Sequence, residues 1–306
     1  LDPAESERIV GCAEFTRRGF EAQLKSLVLL KNDGTLPLKD VSSIALIGPS
    51  SGAQKIGGYS SIPQFHVPSV YEELKALAGE DITVRQCSGC GISSQSSART
   101  VDGQAHLNTK GEAAIEEALD EAVAIARECD VIVFVGGDDT VTSGEGRDRC
   151  ELTLYGPQRQ LLERLAELGK PLVLVLENGK PLELSQESGF CSSILMTFFG
   201  GESGAKAIAE ALLGQFSPAG RLPISLPRSS TRIPCYYSML PGGDINFMEG
   251  PKDALYPFGF GLSYTSFEYS DLSVRKLGTF DVAVSFTVKN TGAMDGDEVV
   301  QLYIDD

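Results

Sequence analysis

Three apolar runs, "VIVFV" from Val131, "LVLVL" from Leu172 and "ILM" from Ile194, constrain the fold more than any other feature of the chain. A strand with one wet face alternates polar and apolar residues, whereas a continuous Val, Ile and Leu run must be covered on both faces. The covering elements lie between the runs. Ile115, Leu119, Ala122, Ile125 and Ala126 share one face of a helix predicted over 111–129. Residues 157–168 predict another, with Pro157 near its start and Gly169 just past its end. "SVYEELKALAGE" is an amphipathic helix closed by Gly79, and "SGAKAIAEALLG" is a further one. Buried strands alternating with helices predict an α/β fold, a mainly parallel sheet with helices on both sides.

The earlier part of the chain fits the same plan. Ile9, Cys12, Phe15, Phe20 and Leu24 form a near-helical stripe within residues 4–26, and "SLVLLKN", "SSIALIGP" and "DITVRQCSG" read as extended segments. After "SPAGRLPISLP" the pattern changes. Residues 228–262 are rich in Pro, Gly, Ser and Tyr without a period and read as a long surface connection. "DVAVSFTVKNTG" then alternates Val282, Val284, Phe286 and Val288 on one face, turns at Asn290 to Gly292, and resumes as "EVVQLYIDD". That is antiparallel sandwich patterning, but there is room for about three strands where a sandwich of this kind needs about seven. The expected division is 1–227 for the α/β domain, 228–265 for a connecting segment and 266–306 for an incomplete second domain.

Charge and cysteine content limit the partners. A net charge of −16 works against binding a phosphate polymer and leaves neutral or cationic partners, a neutral sugar polymer among them. No apolar run approaches the roughly 18 residues of a membrane span, so no membrane association is expected. The seven cysteines are spread along the chain, and the odd number leaves at least one without an intrachain partner. "CSGC" at Cys87 and Cys90 has redox or zinc spacing. Without a second pair or a histidine cluster it reads as buried thiols or a structural disulfide ahead of a metal site. The opening "LDPAESER" has no initiator Met, basic stretch or apolar stretch, and predicts a mature product or a cut piece.

The candidate chemistry lies in "VTSGEGRDRCELTLYGPQRQLLERL", residues 141–165. This loop leaves the carboxyl end of an apolar strand, the edge at which open α/β sheets bind ligands. Glu145 has a glycine on each side, so the backbone can turn sharply and present the carboxyl group. A solvated loop in which Asp148 pairs with Arg147 or Arg149 is the bland alternative. His66 and His106, the only two histidines, have no Ser or Cys in a nucleophile setting. "GGDD" at 136–139 lacks the glycine fingerprint of a dinucleotide loop.

Taken in order, "SLVLLKNDGTLPL", "IALIGPSSGAQKIGGYS", "GEGRDRCELTLYGPQRQLL", "LVLVLENGKPLEL", "GGESGAKAIAEALLGQFSPAGRLPISLP" and "LYPFGFGLSYTSFEYS" resemble the C-terminal region of glycoside hydrolase family 3, the exo-acting β-glucosidases and β-xylosidases. The tail resembles the start of that family's fibronectin type III-like domain. The resemblance implies a six-stranded α/β sandwich packed against an N-terminal (β/α)8 barrel that supplies an Asp nucleophile. It also implies a general acid/base on the sandwich, which falls on Glu145 by residue match. Retaining hydrolysis needs two carboxyl groups roughly 5 to 5.5 Å apart and no cofactor or metal. The acid must also hold its proton near neutral pH.

Under the same resemblance Tyr59 and Ser60 of "GGYSS" face the leaving-group side of the pocket, or else form a turn that only needs backbone freedom. Asp148 and Arg149 support the Glu145 loop through a charge-assisted pair. The expected partners are a β-linked oligosaccharide or glycoside with terminal glucose, xylose or arabinose, the barrel, and a second copy in a homodimer. Export to the periplasm or beyond is the family tendency. These 306 residues contain no barrel and are expected to be inactive alone. The competing readings are a non-catalytic carbohydrate-binding or assembly module, in which Glu145 is structural, and a nucleotide-binding α/β domain.

Overall fold

The computed structural model describes residues 2–53, 56–60, 66–92, 112–239, 248, 250, 251 and 253–304. Its centre is a six-stranded sheet: β1 (Val28–Asn32), β2 (Ser43–Ile47), β3 (Thr83–Cys87), β4 (Val131–Gly137), β5 (Leu172–Glu177) and β6 (Ser193–Met196). The spatial order is β1-β6-β5-β4-β2-β3. All neighbours run parallel except β1, which lies antiparallel to β6 at one edge. Six extended segments were expected from the sequence, and these are the six.

The continuous apolar runs sort by the period of two into the two faces of this sheet. Ile132, Phe134, Leu172, Leu174, Ile194 and Met196 face one core. Val131, Val133, Val135, Val173, Val175 and Leu195 face the other. The first core is closed by α4 (Glu112–Arg127), through Leu119, Ala122 and Ala126, and by α5 (Gln158–Ala166), through Leu161, Leu162 and Leu165. The second is closed by α3 (Val70–Ala78), through Val70 and Leu74, and by α7 (Gly204–Leu212), through Ala207, Ile208 and Leu212. The predicted amphipathic faces are therefore the ones buried. Each fully buried aliphatic side chain stabilises the fold by about 1.5 to 3 kcal/mol.

Local signals set the helix ends. Ser69 accepts the Glu72 N–H, while the Glu72 carboxylate accepts the Ser69 N–H at 2.7 Å, a complete capping box for α3. The N-terminal stripe is divided between α1 (Pro3–Ile9) and α2 (Ala13–Ser26), with Gly11 at φ +70° between them. A short helix, α6 (Ser185–Phe190), joins β5 to β6.

The C-terminal part departs from the sequence reading in two places. The stretch read as a surface connection returns to the core, where Tyr256 is buried and its backbone pairs with Leu226. Downstream, β7 (Phe267–Lys276) and β8 (Val282–Asn290) form a separate antiparallel pair, with Asn290 Oδ1 accepting the Gly292 N–H at the expected turn. "EVVQLYI" is not a strand. Glu298 instead accepts hydrogen bonds from Arg221 at 2.8 Å and Tyr269 at 2.7 Å. A strand needs a neighbour to hydrogen-bond with, and among the described residues this segment has none.

Candidate active site

The chain order of the strands marks out one crevice. From β2 the chain moves outward to β3, then crosses back over β2 to β4 and continues to β5 and β6. The direction of winding reverses between β2 and β4, so the loops leaving their carboxyl ends diverge to opposite faces, the place where open α/β sheets take their ligands. The loop after β2 carries Tyr59 and Ser60, and the loop after β4 carries Glu145.

Glycines let neighbouring strand ends approach each other, β2 against β4 and β4 against β5. A Cβ on Gly48, at the end of β2, would run into the Val135 carbonyl, and one on Gly137 would run into the Glu177 carbonyl. Both have φ values that L residues rarely adopt, +115° and +137°. Gln158 clamps the end of β4 to the start of α5. Its Oε1 accepts the Gly137 N–H at 2.8 Å, and its Nε2 donates to the Gly137 carbonyl at 3.0 Å and the Tyr155 carbonyl at 2.9 Å.

From this base the loop turns in two steps. Asp139 Oδ1 accepts the N–H groups of Val141 and Thr142 at 2.8 and 3.1 Å, and Ser143 N–H donates to the Asp139 carbonyl at 2.9 Å. Arg147 N–H then donates to the Gly144 carbonyl at 3.2 Å, which makes Glu145 and Gly146 the central residues of a β-turn. Gly146 has φ +67°, the value a type II turn demands at its third position. Glu145 is exposed, and its N–H donates to the Tyr59 hydroxyl oxygen at 2.5 Å. Two candidate residues from separate loops thus meet. Ser60 does not join them, because its hydroxyl donates back to the Ile56 carbonyl.

Asp148 and Arg149 are not paired with each other. Asp148 is exposed, and Arg149 finds its carboxylate in Asp138, with Nη1 3.7 Å from Oδ1. Arg149 also donates from Nη2 to the Thr153 carbonyl at 2.6 Å, and its guanidinium lies 5.1 Å from the Tyr155 ring centroid. Only 1% of Asp138 is exposed, and burial raises its pKa. The Thr142 hydroxyl, Arg149, the Gly179 N–H and Lys180 oppose that rise. An open cavity of about 580 Å³ lies beside this stretch, lined by Asp148, Arg149, Cys150, Glu151, Tyr155 and Arg159 among others.

Sequence reasoning missed several residues that shape the site. Phe199 packs where a Cβ on Gly57 or Gly179 would meet it, so it lies between the loops after β2 and β5. Phe198 beside it has φ +55°, an outlier for a bulky residue. The loop after β5 brings Lys180 under the Glu145 loop, where Nζ donates to the Thr142 carbonyl at 2.7 Å and to the Arg147 carbonyl. Gln158 had a sequence signal, a polar residue at the start of a helix whose next inward positions are leucines. Lys180 had none.

All seven cysteines are free thiols, so Cys87 and Cys90 form no disulfide. Burial pushes the Cys90 thiol up to about 12. Among the described residues no group of three or more His, Cys, Asp or Glu could hold a metal, and no helix is long and apolar enough to cross a membrane. His66 is exposed and hydrogen-bonds Glu72, while His106 lies outside the described residues.

Residues 27–264 match the glycosyl hydrolase family 3 C-terminal domain. A β-xylosidase of Formosa agariphila is 36% identical over 97% of the chain and 41% of its own length. A periplasmic β-glucosidase of Salmonella typhimurium is 35% identical over 100% of the chain and 43% of its own. Among solved structures, a β-glucosidase from Erythrobacter marinus superposes with a TM-score of 0.83 at 35% identity, covering 95% of this chain and 41% of that one. The chain therefore spans about two-fifths of the length of the relatives it matches.

Proposed function

This chain belongs to glycosyl hydrolase family 3, in its C-terminal domain, and from that premise we propose that it supplies Glu145 as general acid/base to an exo-acting, retaining β-glycosidase. The nucleophile, an aspartate, and the wall that binds the terminal sugar belong to a barrel domain not contained in these residues. The substrate is a β-linked oligosaccharide or glycoside ending in glucose, xylose or arabinose.

One observation carries the reading. Glu145 is a central residue of a glycine-flanked β-turn in the loop that leaves β4, one of the two strands between which the winding of the sheet reverses. In the first step the barrel carboxylate attacks the anomeric carbon while the Glu145 carboxylic acid gives its proton to the departing glycosidic oxygen. In the second, the Glu145 carboxylate takes a proton from the water that displaces the enzyme carboxylate. The two carboxyl groups must then lie roughly 5 to 5.5 Å apart. Glu145 is exposed in this chain, so its carboxyl group is open to a second domain that closes over it and excludes water from the reacting bond. Tyr59 lies on the leaving-group side, where its hydroxyl holds the Glu145 backbone. Ser60 acts through its loop alone, and Asp148 and Arg149 flank the site as support.

The test is hydrolysis of nitrophenyl β-xyloside and β-glucoside by the barrel-containing protein, wild type against Glu145→Ala, with and without azide. Loss of turnover, restored by azide with formation of a glycosyl azide, is expected. Wild-type turnover by the variant overturns the assignment. The isolated chain should not turn over either substrate, and robust hydrolysis by pure chain would remove the need for a barrel.

A further inference from the structure

We propose that Lys180 is a positioning residue for the Glu145 loop, an inference that rests on the acid/base reading above. Its ammonium donates to the carbonyls of Thr142 (2.7 Å) and Arg147. These two carbonyls flank the Gly144-Glu145-Gly146 turn, so a single cation closes the loop into an arch across its base. A compact ammonium with three rotatable donors is suited to converging carbonyls of this kind.

Lys180 is itself held to the neighbouring strand. It follows β5, its carbonyl accepts a hydrogen bond from the Asn178 side chain at 2.5 Å, and Asn178 is buried. The adjoining Gly179 N–H points to Asp138 Oδ2 at 3.4 Å. Gly179 also packs so closely that a Cβ there would come within 2.6 Å of the Ser143 hydroxyl and 2.8 Å of the Phe199 ring. The arch is thereby tied to β5, with the Tyr59 hydroxyl fixing its tip from the loop after β2. A general acid must reach the leaving oxygen within hydrogen-bond distance, and a misplacement of about 1 Å costs on the order of 10²-fold in rate. Lys180 supplies that placement without touching the substrate.

The experiment compares Lys180→Met with wild type in the barrel-containing enzyme, using kcat/KM on two leaving groups. A disaccharide needs its leaving oxygen protonated, and a dinitrophenyl glycoside does not. Lys180→Met is expected to lose about 10²-fold on the disaccharide and only a few-fold on the dinitrophenyl glycoside. Lys180→Arg, which keeps the charge, should stay nearer wild type. Equal losses on both substrates, or no loss on either, overturn the inference.

Glu145→Ala in parallel separates the two layers. If it lacks the leaving-group dependence, the acid/base reading fails and the Lys180 role falls with it. If Glu145→Ala shows the dependence and Lys180→Met does not, the Lys180 inference alone is wrong. Should Lys180→Met fail to fold, Lys180→Gln gives the same comparison. In this chain, amide exchange at Glu145 and Arg147 should be about tenfold faster in either variant, with β5 amides unchanged. Unchanged exchange at the loop overturns the proposal.

Discussion

The hydroxyl oxygen of Tyr59 accepts the backbone N–H of Glu145 at 2.5 Å, joining residues 86 positions apart. The bond links the loops that leave β2 and β4, the adjacent parallel strands between which the winding of the sheet reverses. Tyr59 is 78% exposed, so the bond adds little to global stability and acts on loop order. Tyr59→Phe is expected to change urea stability by less than about 0.5 kcal/mol. It should nevertheless speed amide exchange at Glu145 several-fold, readable by NMR on this chain.

Gln158 is buried and meets three backbone groups, two of them on Gly137. Gln158→Leu keeps the volume near constant and leaves those groups without partners at the end of a central strand. A loss of about 2 to 4 kcal/mol is expected, from the cost of stranded buried polar groups. Equilibrium urea unfolding measures it.

Two glycines make opposite predictions under one substitution. Gly48→Ala combines a φ of +115° with a collision against the Val135 carbonyl, and should cost at least about 3 kcal/mol. Gly189→Ala lies in α6 with open space around the added methyl, and should stabilise by roughly 0.5 kcal/mol through the unfolded chain. Thermal unfolding of both variants checks the pair.

Arg159 holds the fully buried Glu187 carboxylate through Nε at 2.9 Å and Nη2 at 3.3 Å. Removing only the cation in Arg159→Met leaves a buried charge unpaired, with an expected loss of about 3 to 5 kcal/mol near neutral pH. Replacing both, as Arg159→Met with Glu187→Leu, should recover most of it. A double-mutant cycle in urea reads the coupling.

Two carboxyl groups should tilt the pH dependence of stability in opposite directions. Hydrogen bonds from the Ser69 backbone and side chain lower the Glu72 pKa. Its contribution is present above the unfolded value of about 4.5 and disappears as pH falls through the lower folded value. Burial raises the Asp138 pKa, so its contribution is greatest below the unfolded value of about 3.8 and declines as pH rises through the folded value. Across acid urea titrations, the advantage of wild type over Glu72→Gln should grow with pH. Its advantage over Asp138→Asn should shrink.

The sheet was legible because continuous Val, Ile and Leu runs admit few alternatives. The helix faces were legible because Leu119, Ala122 and Ala126 recur at helical spacing. Short α6 carries no period in "SQESGF" and was not foreseen. "EVVQLYI" has the composition of a strand, but composition supplies no partner to pair with, and Glu298 is held by Arg221 and Tyr269 instead. At the site, the glycines around Glu145 marked a sharp turn. The support that Lys180 gives that turn was hidden because it acts on the Thr142 and Arg147 carbonyls, which only the fold brings near. For the same reason Arg149 was matched to its sequence neighbour Asp148, although its partner is Asp138 across the loop.

The antiparallel edge strand has a mechanical consequence. Chain leaving α2 enters β1 at once, and the later segment is pinned to the same strand, with Gly220 N–H donating to the Leu27 carbonyl at 3.0 Å and Leu262 N–H to the Leu29 carbonyl at 2.8 Å. Tension between the two ends of the domain therefore enters and leaves through one edge. The loops bearing Tyr59 and Glu145 leave β2 and β4, and β6 and β5 stand between those strands and β1, so a pull on either end is expected to act on β1 before the crevice.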